Sequence, residues 1–543
     1  MKLRRRTTNP QPGTRATPNP AQQSVGPSVQ HPAGRRPGPR GWTGRGRGHA
    51  TYLQAPVEYR GTSVQVCGLW PFAAGTGVPM VGVPLGKHTA GGGSVCCDPI
   101  SWFQRARLIS NPSEFVLGLP GLGKSSLVRR QVLGLAGYGV QPLVLGDLKP
   151  DYVALIEALG GQRIVLGLGR GHLNVLDPGE ARSAAARLTG TARAEVLADA
   201  HGRRATMVSA LITILRSAPP NDREETILGR ALEVLDDRHT GIPVLPDLLQ
   251  VIRDAPDDLR QVAIDRGSID RYREITEGLE ATLVGMCGGG RFGSIFSEQT
   301  TTPMRRDAPV VFDVSSIDDG QSDLQAAALL ACWSAGFGTV NVANALADAG
   351  LEPRRHYFVV MDELWRALRS GRGMVDRVDA LTRLNRNRGV GQAMITHTLS
   401  DLTLPDASDT AKARGFVERA GMVISGGLPH GELAKLREVV PYSRAEGDLL
   451  ASWTDPPAWD SAAGAPSAPP GQGNFLIKVG GRPGIPVHVD LTGVEAAVND
   501  TNKLWHEVSR IGKVSDLPPV DDLLDAQDAV DPGAPVQATG SAG

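Results

Sequence analysis

Between Phe115 and Val479 the chain alternates short, continuous apolar runs with longer segments of helical period. The runs are Phe115–Leu117, Leu143–Asp147, Arg163–Gly167, Pro309–Asp313, His356–Glu363, Gly391–His397, Met422–Gly426 and Asn474–Val479. Runs this short and this uniformly apolar, bounded by Gly, Pro or acids, predict strands buried on both faces. Helical spacing follows several of them, from Ser126, after Tyr152 and from Leu324. Strand–helix alternation of this kind predicts an α/β fold with a mostly parallel sheet and a ligand site at the carboxyl ends of its strands.

The pattern changes twice. From about Glu180 to Met286 the strand signals stop. Asn221 with Glu224 three residues on forms a capping box, and Ile227, Leu228, Ala231, Leu232 and Leu235 make one apolar face. A second amphipathic segment follows Pro246, so the stretch reads as an all-α insertion that serves as a lid or an oligomer contact. Upstream, Val64–Cys67, Leu69–Phe72 and Met80–Gly86 are short apolar alternations broken by Gly and Pro, a small β-rich lead-in. The expected organisation is a basic arm (1–50), the lead-in (51–110), a first part of the core (111–180), the insertion (181–289), a second part of the core (290–515) and an acidic tail (516–543).

The segment Ala326–Ala347 carries no formal charge and approaches the length of a membrane span, but Ser334, Asn341, Asn344 and its glycines argue for a buried core helix followed by a second short segment. Composition adds little to this. The 57 basic and 57 acidic residues cancel, so there is no global charge argument for a nucleic-acid partner. Charge is concentrated at the ends: residues 1–50 hold ten Lys/Arg and no acid among many Pro and Gly, which predicts a disordered arm able to meet DNA or anionic lipid, and the Pro/Ala-rich tail is acidic and predicted to be disordered. The five cysteines show no metal-ligand spacing and read as small buried hydrophobes of a reducing compartment.

The chemistry is carried by GLPGLGKSS, which fits the phosphate-loop pattern G-x-x-x-x-G-K-[ST] without a mismatch. Gly118, Leu119, Pro120, Gly121, Leu122, Gly123, Lys124, Ser125 and Ser126 form the expected cradle, in which successive N–H groups and a helix N-terminus face the oxygens of a nucleotide. Lys124 is placed to reach the β and γ phosphates, and Ser125 to give a hydroxyl to Mg²⁺. The chain has only nine lysines among its 57 basic residues, which makes a chance lysine at this position improbable. A second acid-tipped strand ends in Asp362-Glu363, where Asp362 would hold Mg²⁺ and Glu363 would polarise the attacking water. Asp147 ends the strand after the first helix, Thr396-His397 end another, and Arg383, Arg386 and Arg388 precede that strand as candidates for an arginine finger on a neighbouring subunit's nucleotide.

In this order GLWPF (68–72), GVPLG (82–86), the phosphate loop, GDLKPDY (146–152), LNVLDP, RFGSIF (291–296), VVFDVSSI (310–317), VVMDELW (359–365), ITHTLSDL (395–402) and GNFLI (473–477) resemble the VirB/Tra-type ATPases of conjugation and type IV secretion, in the FtsK/HerA branch of RecA-like motors. The resemblance covers about Gly68 to Val489. It implies a RecA-like P-loop NTPase core with an all-α insertion, ATP and Mg²⁺, a homo-hexamer, and attachment to a membrane-embedded secretion complex from the cytoplasmic side of the inner membrane. Lys124, Ser125, Asp362 and Glu363 match the family's phosphate, magnesium and hydrolytic positions, and Arg386 or Arg388 falls near its motif arginine. Two departures stand out: His397 occupies the place of the usual Gln, which moves γ-phosphate sensing towards Thr396, and the large N-terminal docking domain is largely missing. The expected function is an ATP-hydrolysing motor of a conjugative or secretion-like system. A DNA translocase or coupling protein, and a non-hydrolysing nucleotide-gated assembly subunit, are the alternatives.

Overall fold

A computed structural model of the chain describes residues 80–370, 373–382, 388–460 and 465–498. The basic arm, the lead-in up to residue 79, Arg383, Arg386 and the acidic tail lie outside the described residues.

In chain order the strands are β1 (Pro84–His88), β2 (Ser94–Cys96), β3 (Ser113–Leu117), β4 (Gln141–Asp147), β5 (Gln162–Val165), β6 (Val310–Asp313), β7 (Tyr357–Met361), β8 (Val390–Ile395), β9 (Met422–Ser425), a detached hairpin of β10 (Trp459–Asp460) and β11 (Ala465–Pro466), then β12 (Asn474–Lys478) and β13 (Ile485–Val489). Eleven of them form one sheet in the order β2-β1-β13-β12-β9-β3-β8-β7-β4-β6-β5. From β9 to β5 every pairing is parallel; from β9 out through β12, β13 and β1 to β2 every pairing is antiparallel. The strands of the lead-in therefore join the main sheet as its edge.

Both faces of the parallel part are covered, which is why its strands read as unbroken apolar runs. Successive side chains point to opposite faces. Phe115, Leu117, Leu143 and Leu145 enter one core, and Val116, Val144, Phe358 and Val360 enter the other. The second core is closed by the helices Pro99–Gln104, Lys124–Gly137 and Val153–Ala158. The first is closed by the helix Ser322–Asp348 and, beyond it, by five helices between Gly190 and Met286 in the connection from β5 to β6. Asn221 and Glu224 make the capping box read from the sequence.

Ser322–Asp348 is one continuous helix, not a helix followed by a second segment. Its glycines permit close packing instead of ending it: a Cβ on Gly336 would stand 2.6 Å from both methyls of Leu145, and one on Gly338 would stand 1.9 Å from the Arg203 guanidinium. The helix is long and apolar enough to cross a membrane, but 83% of its apolar window is buried in the protein. Each fully buried Leu or Val side chain contributes roughly 1.5–3 kcal/mol, so this helix is a principal support of the sheet.

The edge pairing yields a first prediction. A Cβ on Gly86 in β1 would lie 1.9 Å from the His488 carbonyl oxygen and 2.8 Å from the Asp490 nitrogen, both backbone atoms of the neighbouring strand region. Gly86→Ala should lower stability by about 1–3 kcal/mol through overpacking. Thermal denaturation reads this directly, and an unchanged midpoint would mean that β1 does not sit against β13.

Candidate nucleotide site

The functional side chains converge because parallel strands deliver them to one edge. The phosphate loop follows β3 and leads into the helix Lys124–Gly137. Gly121 and Gly123 have φ of 80° and 96°, a region that other residues enter at a cost, and Gly123 caps the helix without a side-chain bond. The first-turn N–H groups of that helix are therefore left for a ligand to satisfy. Beneath the loop, the buried Glu114 accepts a 2.9 Å bond from Gln131, tying β3 to this helix, and burial pushes its carboxyl up to about 8.

Asp362 and Glu363 follow β7, which is not next to β3. β8 lies between them and brings His397 to the middle of the site. Lys124 Nζ donates to the carbonyl oxygens of Gly118 (2.6 Å) and Leu119 (3.2 Å) and lies 3.0 Å from His397 Nδ1. His397 Nε2 lies 3.4 Å from Glu363 Oε1. The imidazole stands between the ammonium and the carboxylate, one ring nitrogen to each. One hydrogen-bonded chain thus links the phosphate-loop lysine to Glu363.

Glu363 is held from several sides. Lys149 Nζ reaches Oε1 at 3.2 Å and Trp365 Nε1 donates to Oε2 at 2.6 Å. Its backbone has φ 51°, a left-handed conformation unusual for a residue with a side chain and of the kind found at functional sites. Burial opposes its ionisation, but the hydrogen bond and charge of His397, with Lys149 and Trp365, outweigh that and hold the carboxyl at about 2. Asp362 differs: burial and the neighbouring Glu363 charge push it up to about 6, while Tyr152 donates to its Oδ2 at 3.2 Å. Burial also lowers Lys124 to about 8, against the pull of Asp362 and Glu363.

These groups line a cleft of about 500 Å³ that includes Gly121, Gly123, Lys124, Ser125, Asp362 and His397. Its size suits a nucleotide-sized ligand. Pro120, Ser126 and Asp147 also line it. Both carboxylate oxygens of Asp147 are used by the N–H groups of Asp151 and Tyr152 (3.0 and 2.7 Å), so this acid fixes the turn below the cleft. Leu119, Leu122 and Thr396 are not on the cleft wall. Thr396 is buried, with its hydroxyl donating to Asp401 Oδ2 at 3.1 Å, and it is His397 that faces the cleft. Gly118 contributes its carbonyl to Lys124. Arg388 precedes β8, at the opposite end of the strand from His397, and its surroundings are Asp199 and Arg203.

Sequence reasoning passed over four contributors. Arg129, buried on the phosphate-loop helix, donates to Asp151 O at 2.7 Å and lies 3.3 Å from Ser126 Oγ. Lys149, Tyr152 and Trp365 touch the two acids. Lys149 carried the same signal as Lys124, a lysine in a chain where arginine is the rule.

No family profile matches the chain. No curated protein matches it in sequence. Among solved structures it is similar to VirB4 of Thermoanaerobacter pseudethanolicus, at 18% identity and TM-score 0.56, over 77% of this chain and 100% of that one. It also aligns with the plasmid coupling protein TrwB in complex with a non-hydrolysable ATP analogue, at 12% identity and TM-score 0.42, over 71% of this chain and 87% of that one. With its phosphate loop after β3 and its mostly parallel sheet, the chain shares the α/β fold of the VirB4 structure.

Proposed function

We propose that the chain is an ATP-hydrolysing motor of a conjugative or type IV secretion-like system. The observation that carries this reading is the convergence of Lys124, Ser125, Asp362 and Glu363 on one cleft at the carboxyl ends of parallel strands. A hydroxyl and a carboxylate are hard oxygen donors, so Ser125 and Asp362 fit Mg²⁺. When bound, Mg²⁺ neutralises charge on the β and γ phosphates. Lys124 binds the phosphates by exchanging the loop carbonyls it now holds for ligand oxygens. Glu363, ionised and aimed by Lys149, Trp365 and His397, orients the attacking water and accepts its proton. His397 senses occupancy, because any movement of Lys124 breaks its bond to Nδ1.

The wider reading rests on the fold and the sequence motifs. The motor works as a homo-hexamer on the cytoplasmic face of the inner membrane, docked to a membrane-embedded complex. Arg388 is set beside Asp199 and Arg203 of its own chain, which leaves Arg383 and Arg386 as the candidates for the arginine finger. The basic arm is the segment that would meet DNA, as a coupling protein requires. Phosphate release by the full chain with and without DNA, alongside mass photometry with nucleotide, tests this. Hydrolysis that DNA does not change supports a secretion motor; stimulation that fades with salt and with removal of residues 1–50 moves the function to DNA translocation. Ring formation without phosphate release would refute a motor.

A further inference from the structure

A second cavity, of about 270 Å³, lies between the helix Gly190–Arg216 of the helical connection, the helix Ser322–Asp348 and the helix Met374–Thr382. Three guanidinium groups line it, those of Arg203, Arg377 and Arg388, against a single carboxylate, Asp199. That carboxylate is already committed: Oδ2 accepts from Arg203 Nε at 3.0 Å, and both oxygens accept from Asn341 Nδ2 at 3.1 and 3.0 Å. Among the described residues Arg377 donates only to neutral oxygens, Thr206 O at 3.1 Å, Ser209 Oγ at 2.8 Å and Thr213 Oγ1 at 3.5 Å. Neither Arg377 nor Arg388 makes an ion pair among the described residues.

Half-buried cations without a direct ion pair are costly, and burial lowers the pKa of both Arg377 and Arg388, with the more distant Glu225 acting on Arg377 and Asp199 on Arg388 in the opposite sense. A second observation points the same way: Asn341 Oδ1 is buried with no hydrogen-bond partner, an acceptor waiting for a donor. An anion that also carries a hydroxyl or a protonated oxygen answers both features. The cavity is smaller than sites for drug-sized ligands, which limits the occupant to a compact anion.

We infer that this cavity is a second anion site, for a phosphate or phosphate ester, held by Arg203, Arg377 and Arg388 with Asn341 accepting from the ligand's hydroxyl. Guanidinium forks match phosphate oxygens in pairs. The site joins the helical connection to the segment leading into β8, the strand that carries His397, so its occupancy stiffens the support of the nucleotide cleft. It stands independently of the hydrolytic reading.

The test is calorimetric titration of the full-length Lys124→Ala protein, in which the phosphate loop is weakened, with inorganic phosphate, pyrophosphate and AMP. One site per chain is expected, unchanged from wild type in affinity, at least tenfold weaker in Arg377→Gln and partly restored in Arg377→Lys. Ala380→Glu, which adds a carboxylate on the exposed side of the lining, should abolish binding even if Arg377→Gln fails to fold. Tighter binding of AMP than of phosphate assigns the site to nucleotide monoesters, and the reverse assigns it to free phosphate. No site in Lys124→Ala, or full affinity in folded Arg377→Gln or Ala380→Glu, overturns the inference.

Discussion

Glu363→Gln is expected to reduce ATP turnover by two to four orders of magnitude while leaving nucleotide binding intact. The range is that of a positioned general base, about 10²–10⁴, or roughly 3–5 kcal/mol in activation free energy. Glutamine keeps the shape and can still accept from Trp365 Nε1, but it cannot take the proton of water. The charge is the essential part. With its carboxyl held at about 2, Glu363 is ionised throughout the neutral range, and the base is lost only as pH falls through that value. Turnover should therefore show no separate limb near pH 4.5, where an ordinary glutamate titrates; its acid limb falls near 6, where Asp362 takes up its proton. Phosphate release read against equilibrium binding of a fluorescent ATP analogue separates the two effects.

Lys124→Ala should do the opposite, weakening binding and turnover together. Removing one preorganised cation from a partly dehydrated site costs about 10²–10³ in rate. There is a pH signature as well. Burial lowers Lys124 to about 8, so wild-type affinity for nucleotide should fall as pH rises through that value, and the alanine variant should lack this fall. A titration of apparent affinity from pH 7 to 9 measures it; matching profiles for the two proteins would remove Lys124 from the phosphate contacts.

The fold class was legible in the sequence because burial on both faces leaves an unmistakable mark. Runs such as Tyr357–Met361 have no polar positions to hide. The order of the strands was not legible. Nothing in Gly391–Ile395 says that it lies between β3 and β7, since parallel strands are joined by long crossovers and their neighbours are set by packing of side chains distant in sequence. β13 escaped notice because Pro486 and His488 interrupt it, although Ile485, Val487 and Val489 keep the inward period. The helix Ser322–Asp348 read as broken because a glycine in sequence looks the same whether it ends a helix or lets Leu145 approach.

For the site, the distinction is between local and non-local chemistry. Gly118 to Ser126 is a contiguous loop whose backbone does the binding, so its pattern can be seen in the chain itself. The groups that aim Glu363 come from three places, Lys149, Trp365 and His397, and only the sheet order brings them to one carboxylate. His397 drew attention as a departure from a pattern; its bond to Lys124 depends on β8 lying beside β3.

The most direct test of the central claim is magnesium-dependent phosphate release by the purified full chain, measured side by side with Glu363→Gln at saturating ATP. The account predicts steady turnover in the wild type and a loss of at least a hundredfold in the variant with ATP still bound. Equal turnover in the two proteins, or none in either while both bind ATP, would contradict it.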